Sequence, residues 1–247
     1  MEQVFLKNII KNLLAIFDLK VSKIRSVESR VDYSLADLLP ILDLPEKGVI
    51  IDGGANEGQT IELLLKQSRN FNIYAFEPDE ILYKLLKKQY SQYDNVNISS
   101  CALVNEEGDF NFNIYESTKL SSIKDLNSHS VQASKLVRTT VIKGTTLDSF
   151  VASNAISRVD LLKLDLQGFE YEALLGSQSL VQNGLVDWIF VEVMFGDMYS
   201  NGKDKSSDYL NILNYLSDNY VLYTMVDFNY SDDYQFSHCD LLFKRRE

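Results

Sequence analysis

The chain is poor in the residues that build cross-linked or metal-caged proteins. Its 247 residues include 2 cysteines and 2 histidines. Cys101 and Cys239 are too few for a disulfide framework or a zinc site. With only two histidines as well, a His/Cys metal cage is excluded. Prolines number 3 and tryptophan occurs once. No apolar run approaches the ~20 residues that a membrane span needs. Positive charge is also scarce: 24 Lys and Arg stand against 35 Asp and Glu, a formal net charge of −11. So acidic a surface repels phosphate backbones, which argues against a nucleic-acid partner. What remains is ordinary for a globular protein, with 45% hydrophobic and 24% charged residues. The length suits one α/β domain with an appendage.

The scarce positive charge is concentrated at the start. Lys7, Lys11, Lys20, Lys23, Arg25 and Arg30 outnumber Glu2, Asp18 and Glu28 within the first thirty residues. There Phe5, Ile9, Leu13 and Phe17 recur every four residues, and so do Leu6, Ile10 and Leu14, which predicts an amphipathic helix. Lys7 and Lys11 interrupt the apolar stretch and no small-residue cleavage site follows, so it does not read as a secretory signal. Residues 1–25 are read as a homodimer or packing element, with peripheral contact at the inner face of an anionic membrane as the alternative. The expected location is cytoplasmic. Pro40 and Pro45 mark a connector, which places an N-terminal helical extension at 1–45 and the main domain at 46–247.

From there strands and helices alternate. Val49–Asp52, Ile73–Phe76 and Val96–Ser100 read as buried strands, and 59–68 and 79–90 as helices. This is the pattern of βαβ units in a parallel sheet covered on both faces. Residues 104–145 break the rhythm with two alternating strands around Phe110–Ile114 and Val137–Val141. The polar stretch between them, with Ser117, Thr118, Ser121, Ser122 and Ser128, is of the kind that borders an active site. The rhythm resumes with a strand at 159–165, a helix at 170–181, a strand at 188–192 and a helix at 207–217. The last two strands, 220–226 and 239–244, have no helix between them and should pair antiparallel.

The most informative stretch is Val49-Ile-Ile-Asp-Gly-Gly-Ala-Asn-Glu-Gly-Gln-Thr60. An apolar strand ends in Asp52, glycines follow at 53, 54 and 58, and a helix opens. Glycine permits a sharp turn and close approach to a ligand, and the helix start adds unpaired N–H donors. Glu77 ends the next strand, where a carboxylate can accept both ribose hydroxyls of an adenosine. The spacing is not the Gly-x-Gly-x-x-Gly of dinucleotide binding. A carboxylate at Asp52 pointing into the site would repel a pyrophosphate. It suits S-adenosylmethionine, which carries an ammonium and a sulfonium and no phosphate. A nicotinamide oxidoreductase is therefore the disfavoured enzyme alternative.

On these residues the chain resembles the FkbM family of S-adenosylmethionine-dependent methyltransferases. Ile50–Gly58 resembles its nucleotide motif and Ile73–Pro78 its second-strand acidic motif. Cys101–Gly108 resembles the segment that flanks the adenine. Thr146–Phe150 with Val159–Gly176 resembles its most distinctive signature, and Cys239–Phe243 its closing strand. The resemblance covers about residues 45–245. Many members carry Glu where Gln167 stands, so a role that needs negative charge there does not carry over. The resemblance implies a class I, Rossmann-like seven-stranded α/β sheet with its last strand antiparallel and helices on both faces. It also implies methyl transfer to an oxygen, of a sugar hydroxyl in a glycan or glycolipid, or of a small secondary metabolite or lipid-linked acceptor. S-adenosylhomocysteine is then the product. A non-catalytic module that keeps the cofactor fold is the alternative from another class.

The cofactor candidates are Asp52, Gly53, Gly54, Asn56, Gly58, Glu77, Pro78, Cys101, Ala102 and Asp165. A sugar hydroxyl needs a base, and the candidates are Asp165, Glu170 and Glu192. Each has another reading: Asp165 as a cofactor contact, Glu170 as a favourable charge at a helix start, Glu192 as an acceptor binder. Together they could hold a divalent cation, though none is expected. Lys163, inside an apolar strand, needs a carboxylate partner nearby. His129, in the polar loop, is the better functional candidate of the two histidines. Tyr199, Tyr223 and Tyr230 are candidates for stacking on a sugar face.

Overall fold

A computed structural model describes residues 33–67, 69–126, 134–195, 199, 209–230 and 236–247. The expected N-terminal helix, with its membrane or dimer role, and His129 lie outside the described residues.

Short apolar runs with β-branched residues form the strands of a central sheet. In chain order these are β1 (Val49–Gly53), β2 (Asn72–Phe76), β3 (Val96–Ser99), β7 (Val159–Leu164), β8 (Val186–Met194), β9 (Tyr220–Tyr230) and β10 (Phe236–Arg245). Their order across the sheet is β3-β2-β1-β7-β8-β10-β9. β10 alone runs against its neighbours, inserted between β8 and β9. This is the class I methyltransferase arrangement, with the antiparallel last strand that the sequence predicts. Three further strands, β4 (Cys101–Leu103), β5 (Gly108–Tyr115) and β6 (Leu136–Thr145), form a separate sheet of order β4-β6-β5. β5 and β6 are the expected two-strand excursion.

Alternation along each strand divides the core in two. Ile51, Leu162, Leu164, Ile189, Val191, Val193, Leu241 and Phe243 are buried on one face. They pack with α4 (Leu147–Ser153), α5 (Glu170–Leu175), α6 (Gln178–Gln182) and α7 (Tyr209–Leu216). Ile50, Leu161, Trp188, Phe190 and Leu242 are buried on the other face. There they meet α1 (Leu35–Leu38), α2 (Gln59–Leu65) and α3 (Glu80–Gln89). Leu35, Leu38, Leu39, Leu42 and Leu44 belong to this second core. Tyr33–Glu247 form one compact unit, so residues 33–45 pack as part of the domain rather than with an extension that ends at Pro45.

The helix expected over 170–181 is two helices. A Cβ on Gly176 would lie 1.9 Å from the Val104 carbonyl oxygen, so the backbones touch where the helix breaks. The Asp148 carboxylate then accepts the N–H groups of Ser179 and Leu180 and caps the second half. Among the described residues, no helix is long and apolar enough to cross a membrane.

Candidate active site

The carboxyl ends of β1, β2, β7 and β8, with the start of the antiparallel β10, open onto one cavity of about 640 Å³, within the usual range for a small-molecule site. One wall is the glycine turn and the end of β2, with Gly54, Asn56, Glu77, Pro78 and Asp79. β4 adds Cys101 and Ala102. The polar excursion adds Ser117 to Ser121, and the strand ends of β7, β8 and β10 bring Asp165, Gln167, Glu192 and His238 to the same cavity.

The glycine turn is a close backbone crossing. Gly54 has φ 80°, and a Cβ there would lie 1.9 Å from the Asp165 carbonyl oxygen. Asn56 is also left-handed, at φ 46°. Its N–H donates to Glu77 Oε2 at 2.7 Å, and the Asp79 N–H donates to Glu77 Oε1 at 2.8 Å. Burial pushes Glu77 up to about 7 against those two hydrogen bonds. Gly53 and Gly58 do not line the cavity. Gly53 leaves room for Leu103 and Leu164, and Gly58 lies against Tyr90, whose hydroxyl donates to the Gly58 carbonyl at 3.1 Å.

Asp52 differs from its expected role. It is 0% exposed and lies beneath the cavity. Asp52 pairs in register with Lys163, and Lys163 Nζ sits 3.1 Å from Asp52 Oδ1 and 3.5 Å from Asp165 Oδ2. A strand-end carboxylate on the buried face meets the nearest cation of its own sheet, so its charge reaches the cavity only through Lys163 and Asp165. Burial works against the Lys163 ammonium, but the charges of Asp52 and Asp165 outweigh it and hold Lys163 protonated. This is the carboxylate partner that Lys163 requires.

Of the three candidate bases, Asp165 and Glu192 reach the cavity and Glu170 does not. Gln167, left-handed at φ 55°, donates its amide to Asp165 Oδ1 at 2.7 Å and to Glu192 Oε2 at 3.1 Å. The Tyr199 hydroxyl donates to Gln167 Oε1 at 2.8 Å. Tyr199 is thus a buried prop for Gln167 rather than a stacking surface. Tyr223 lies edge-on against Trp188 and does not line the cavity, and neither does Tyr230. Burial, then Asp165 and Glu170, push Glu192 well above the usual carboxylate range.

Glu170 is 1% exposed and ties down the loop after β7. It accepts the Leu166 N–H at 2.6 Å and the Gly168 N–H at 3.1 Å, while burial pushes it up to about 7. Glu170→Gln replaces one acceptor oxygen by a donor, and a loss of about 1–3 kcal/mol is expected. Urea denaturation measures it, and an unchanged midpoint would contradict the fastening role. Asp165, Glu170 and Glu192 offer oxygens within 4.8 Å of one another, a spacing that a cation could bridge. In this arrangement the Gln167 amide and the two backbone N–H groups meet that charge.

The sequence ranks His238 below His129 and does not single out Asp227. His238 faces the cavity from β10, with Nε2 4.0 Å from Glu192 Oε1. Asp227 approaches from β9. His238 directly precedes the closing-strand motif Cys239–Phe243, but only the pairing of β10 with β8 brings it to Glu192.

The site fits an S-adenosyl cofactor on its own features. Gly54 permits the backbone crossing that a Cβ would block, and Glu77 presents a buried carboxylate to the cavity. Asn56 Oδ1 is buried with no hydrogen-bond partner among the described residues. Burial pushes the Cys101 thiol up to about 11, so Cys101 is a neutral wall residue. Fold and cavity together define a class I S-adenosylmethionine-dependent methyltransferase.

The chain belongs to the FkbM methyltransferase family: the model of the methyltransferase FkbM domain matches residues 52–223. No match is found among curated proteins. Among solved structures, the chain is similar to an rRNA methylase from Streptococcus thermophilus, with 9% identity and a TM-score of 0.50 over 89% of this chain and 100% of that one. It is also similar to a Streptococcus mutans protein solved in complex with SAH, with 10% identity and a TM-score of 0.48 over 86% of this chain and 96% of that one.

The exclusion of nucleic acid drawn from net charge does not stand, because an rRNA methylase shares this fold. The physical reason is that net charge counts buried carboxylates together with those on the outer surface. Asp52, Glu77, Asp79 and Glu170 are all buried.

Proposed function

We propose that this methyltransferase acts on a hydroxyl oxygen, that of a sugar in a glycan or glycolipid. The observation that carries the reading is that Asp165, Glu192 and His238, all able to accept a proton, line one cavity with Ser117, Thr118 and Ser121. A hydroxyl is a poor nucleophile until its proton leaves, so proton-accepting groups are what the reaction requires. The serine and threonine hydroxyls suit a neutral polyol, and Phe112 and Phe169 offer apolar surface in the same cavity.

When bound, the cofactor supplies a methyl carbon made electrophilic by its sulfonium. The chain's own residues hold and orient it. Glu77 and Asn56 would bind the ribose side, Pro78, Cys101 and Ala102 would border the adenine, and Asp165, held by Lys163 and Gln167, would face the methionine end. Alignment of the acceptor oxygen with that carbon supplies much of the acceleration. Leu166, Phe169 and Met194 provide an apolar lining that excludes water.

The test is a methyl-transfer assay with tritiated S-adenosylmethionine across methyl glycosides, lipid-linked oligosaccharides, small alcohols and RNA. The expected product is an alkali-stable methyl ether on a sugar. Label confined to a nucleobase nitrogen or to a protein side chain would overturn the hydroxyl reading.

A further inference from the structure

We propose that His238 is the catalytic base, with Nε2 taking the proton from the acceptor hydroxyl; this rests on the hydroxyl reading above. On β10, His238 stands opposite Met194, two residues beyond the pair of Asp240 with Glu192. Residues two apart share a face, so the imidazole lies on the side of the sheet where Glu192 stands. It lines the cavity together with Glu192, Asp165 and Gln167. Nδ1 lies 3.1 Å from Ser237 Oγ, and Nε2 lies 4.0 Å from Glu192 Oε1. An Nδ1–H donated to Ser237 leaves the lone pair on Nε2, the tautomer that a base requires.

Asp165, Glu192 and Glu170 are already engaged. Asp165 Oδ1 and Glu192 Oε2 each accept from the Gln167 amide. Asp165 Oδ2 faces Lys163, and Glu170 fastens its loop. Glu192 Oε1 is left on the side of Nε2, 4.0 Å away. That gap is wider than a direct hydrogen bond and leaves the imidazole edge able to meet an acceptor.

The groups around His238 balance its charge. Glu192 faces it from β8, Asp227 from β9 and Asp165 from the end of β7, with Asp240 on its own strand and Lys163 behind Asp165. Burial disfavours the imidazolium, while Asp227 and Asp165 favour it, and the balance leaves His238 below its ordinary value. Burial thus favours the neutral ring, and Asp227 and Asp165 stabilise the imidazolium once it forms. In the step, the hydroxyl oxygen forms its new bond to carbon while the carbon–sulfur electron pair stays on sulfur. The hydroxyl proton ends on Nε2, beside Glu192 Oε1, and leaves later to water.

The full-length protein and its His238→Asn variant test this. Calorimetric titration with S-adenosylhomocysteine should give the same affinity within about threefold, since His238 is not among the cofactor contacts. Turnover on the methyl glycosides should fall by about 100-fold or more, and the acid limb of the wild-type rate–pH profile should disappear. An undiminished ether product from the variant would overturn the proposal alone. Undiminished transfer to a nitrogen would overturn the hydroxyl reading with it. A readout that needs no acceptor uses ring-labelled histidine. The chain has 2 histidines, so the signal lost in His238→Asn identifies His238. In the S-adenosylhomocysteine complex it should titrate with a midpoint below about 6.5. A ring still protonated at pH 8 would overturn the proposal.

Discussion

Asp52→Ala should lower the stability of the protein by about 3–5 kcal/mol, because it leaves the ammonium of Lys163 buried without its nearest counter-ion. Asp52 is fully buried and lies 3.1 Å from Lys163 Nζ. The second carboxylate, Asp165, is 3.5 Å away and partly exposed, so it screens the charge less well. The effect belongs to the fold first and to the cofactor second. Removing Asp52 frees Lys163 to draw Asp165 away from Gln167, and the amide bridge to Glu192 loosens with it. Urea denaturation measures the loss, and a change below about 1 kcal/mol would contradict the buried-pair account. The double variant Asp52→Ala/Lys163→Met should be more stable than Asp52→Ala alone, because it removes the stranded charge. A double variant as unstable as the sum of the singles would mean that the two residues do not act as a pair.

Glu77→Gln should lower affinity for S-adenosylhomocysteine by about 100-fold or more. The Glu77 carboxylate does two things at once. It accepts the Asn56 and Asp79 N–H groups, which shapes the turn, and it lines the cavity, where we propose that it also accepts from the ribose. Each hydrogen bond to a charged group contributes about 1.5–3 kcal/mol, and 1.4 kcal/mol is a factor of ten. Glutamine keeps the shape but has one acceptor oxygen, and its amide N–H groups would face one of the backbone donors. The turn and the ribose contacts therefore weaken together. Calorimetry on the variant checks this, and wild-type affinity would mean that the ribose is held elsewhere.

The fold was largely legible in the sequence because its signals are local. Apolar runs at 49–52, 73–76 and 159–164 become strands, and the absence of a helix between the last two strands announces their antiparallel pairing. The helix over 170–181 was misjudged because Gly176 breaks it for a distant reason, the touching backbone of Val104. Local geometry was legible where a motif carries it, as in the close turn at Gly54 and the strand-end carboxylate of Glu77. The site was not legible where roles depend on pairing across the sheet. A strand-end carboxylate reads alike whether it faces a ligand or a lysine beneath it, and only the register of β1 with β7 shows that Asp52 meets Lys163. Glu170 reads as a base until its oxygens are seen to hold Leu166 and Gly168. His238 abuts the closing-strand motif, which says nothing of its role, and the pairing of β10 with β8 makes it part of the cavity. The net charge misled for a related reason, since it is a sum that ignores burial.

The central claim is that the cavity between the glycine turn and Glu77 is built for an S-adenosyl cofactor and not for a dinucleotide. Calorimetric titration of the wild-type protein with S-adenosylhomocysteine and, separately, with NAD tests it most directly. The account predicts stoichiometric binding of S-adenosylhomocysteine and much weaker binding of NAD, whose pyrophosphate would meet Asp165 and Glu192 beyond the turn. Tighter binding of NAD would contradict it.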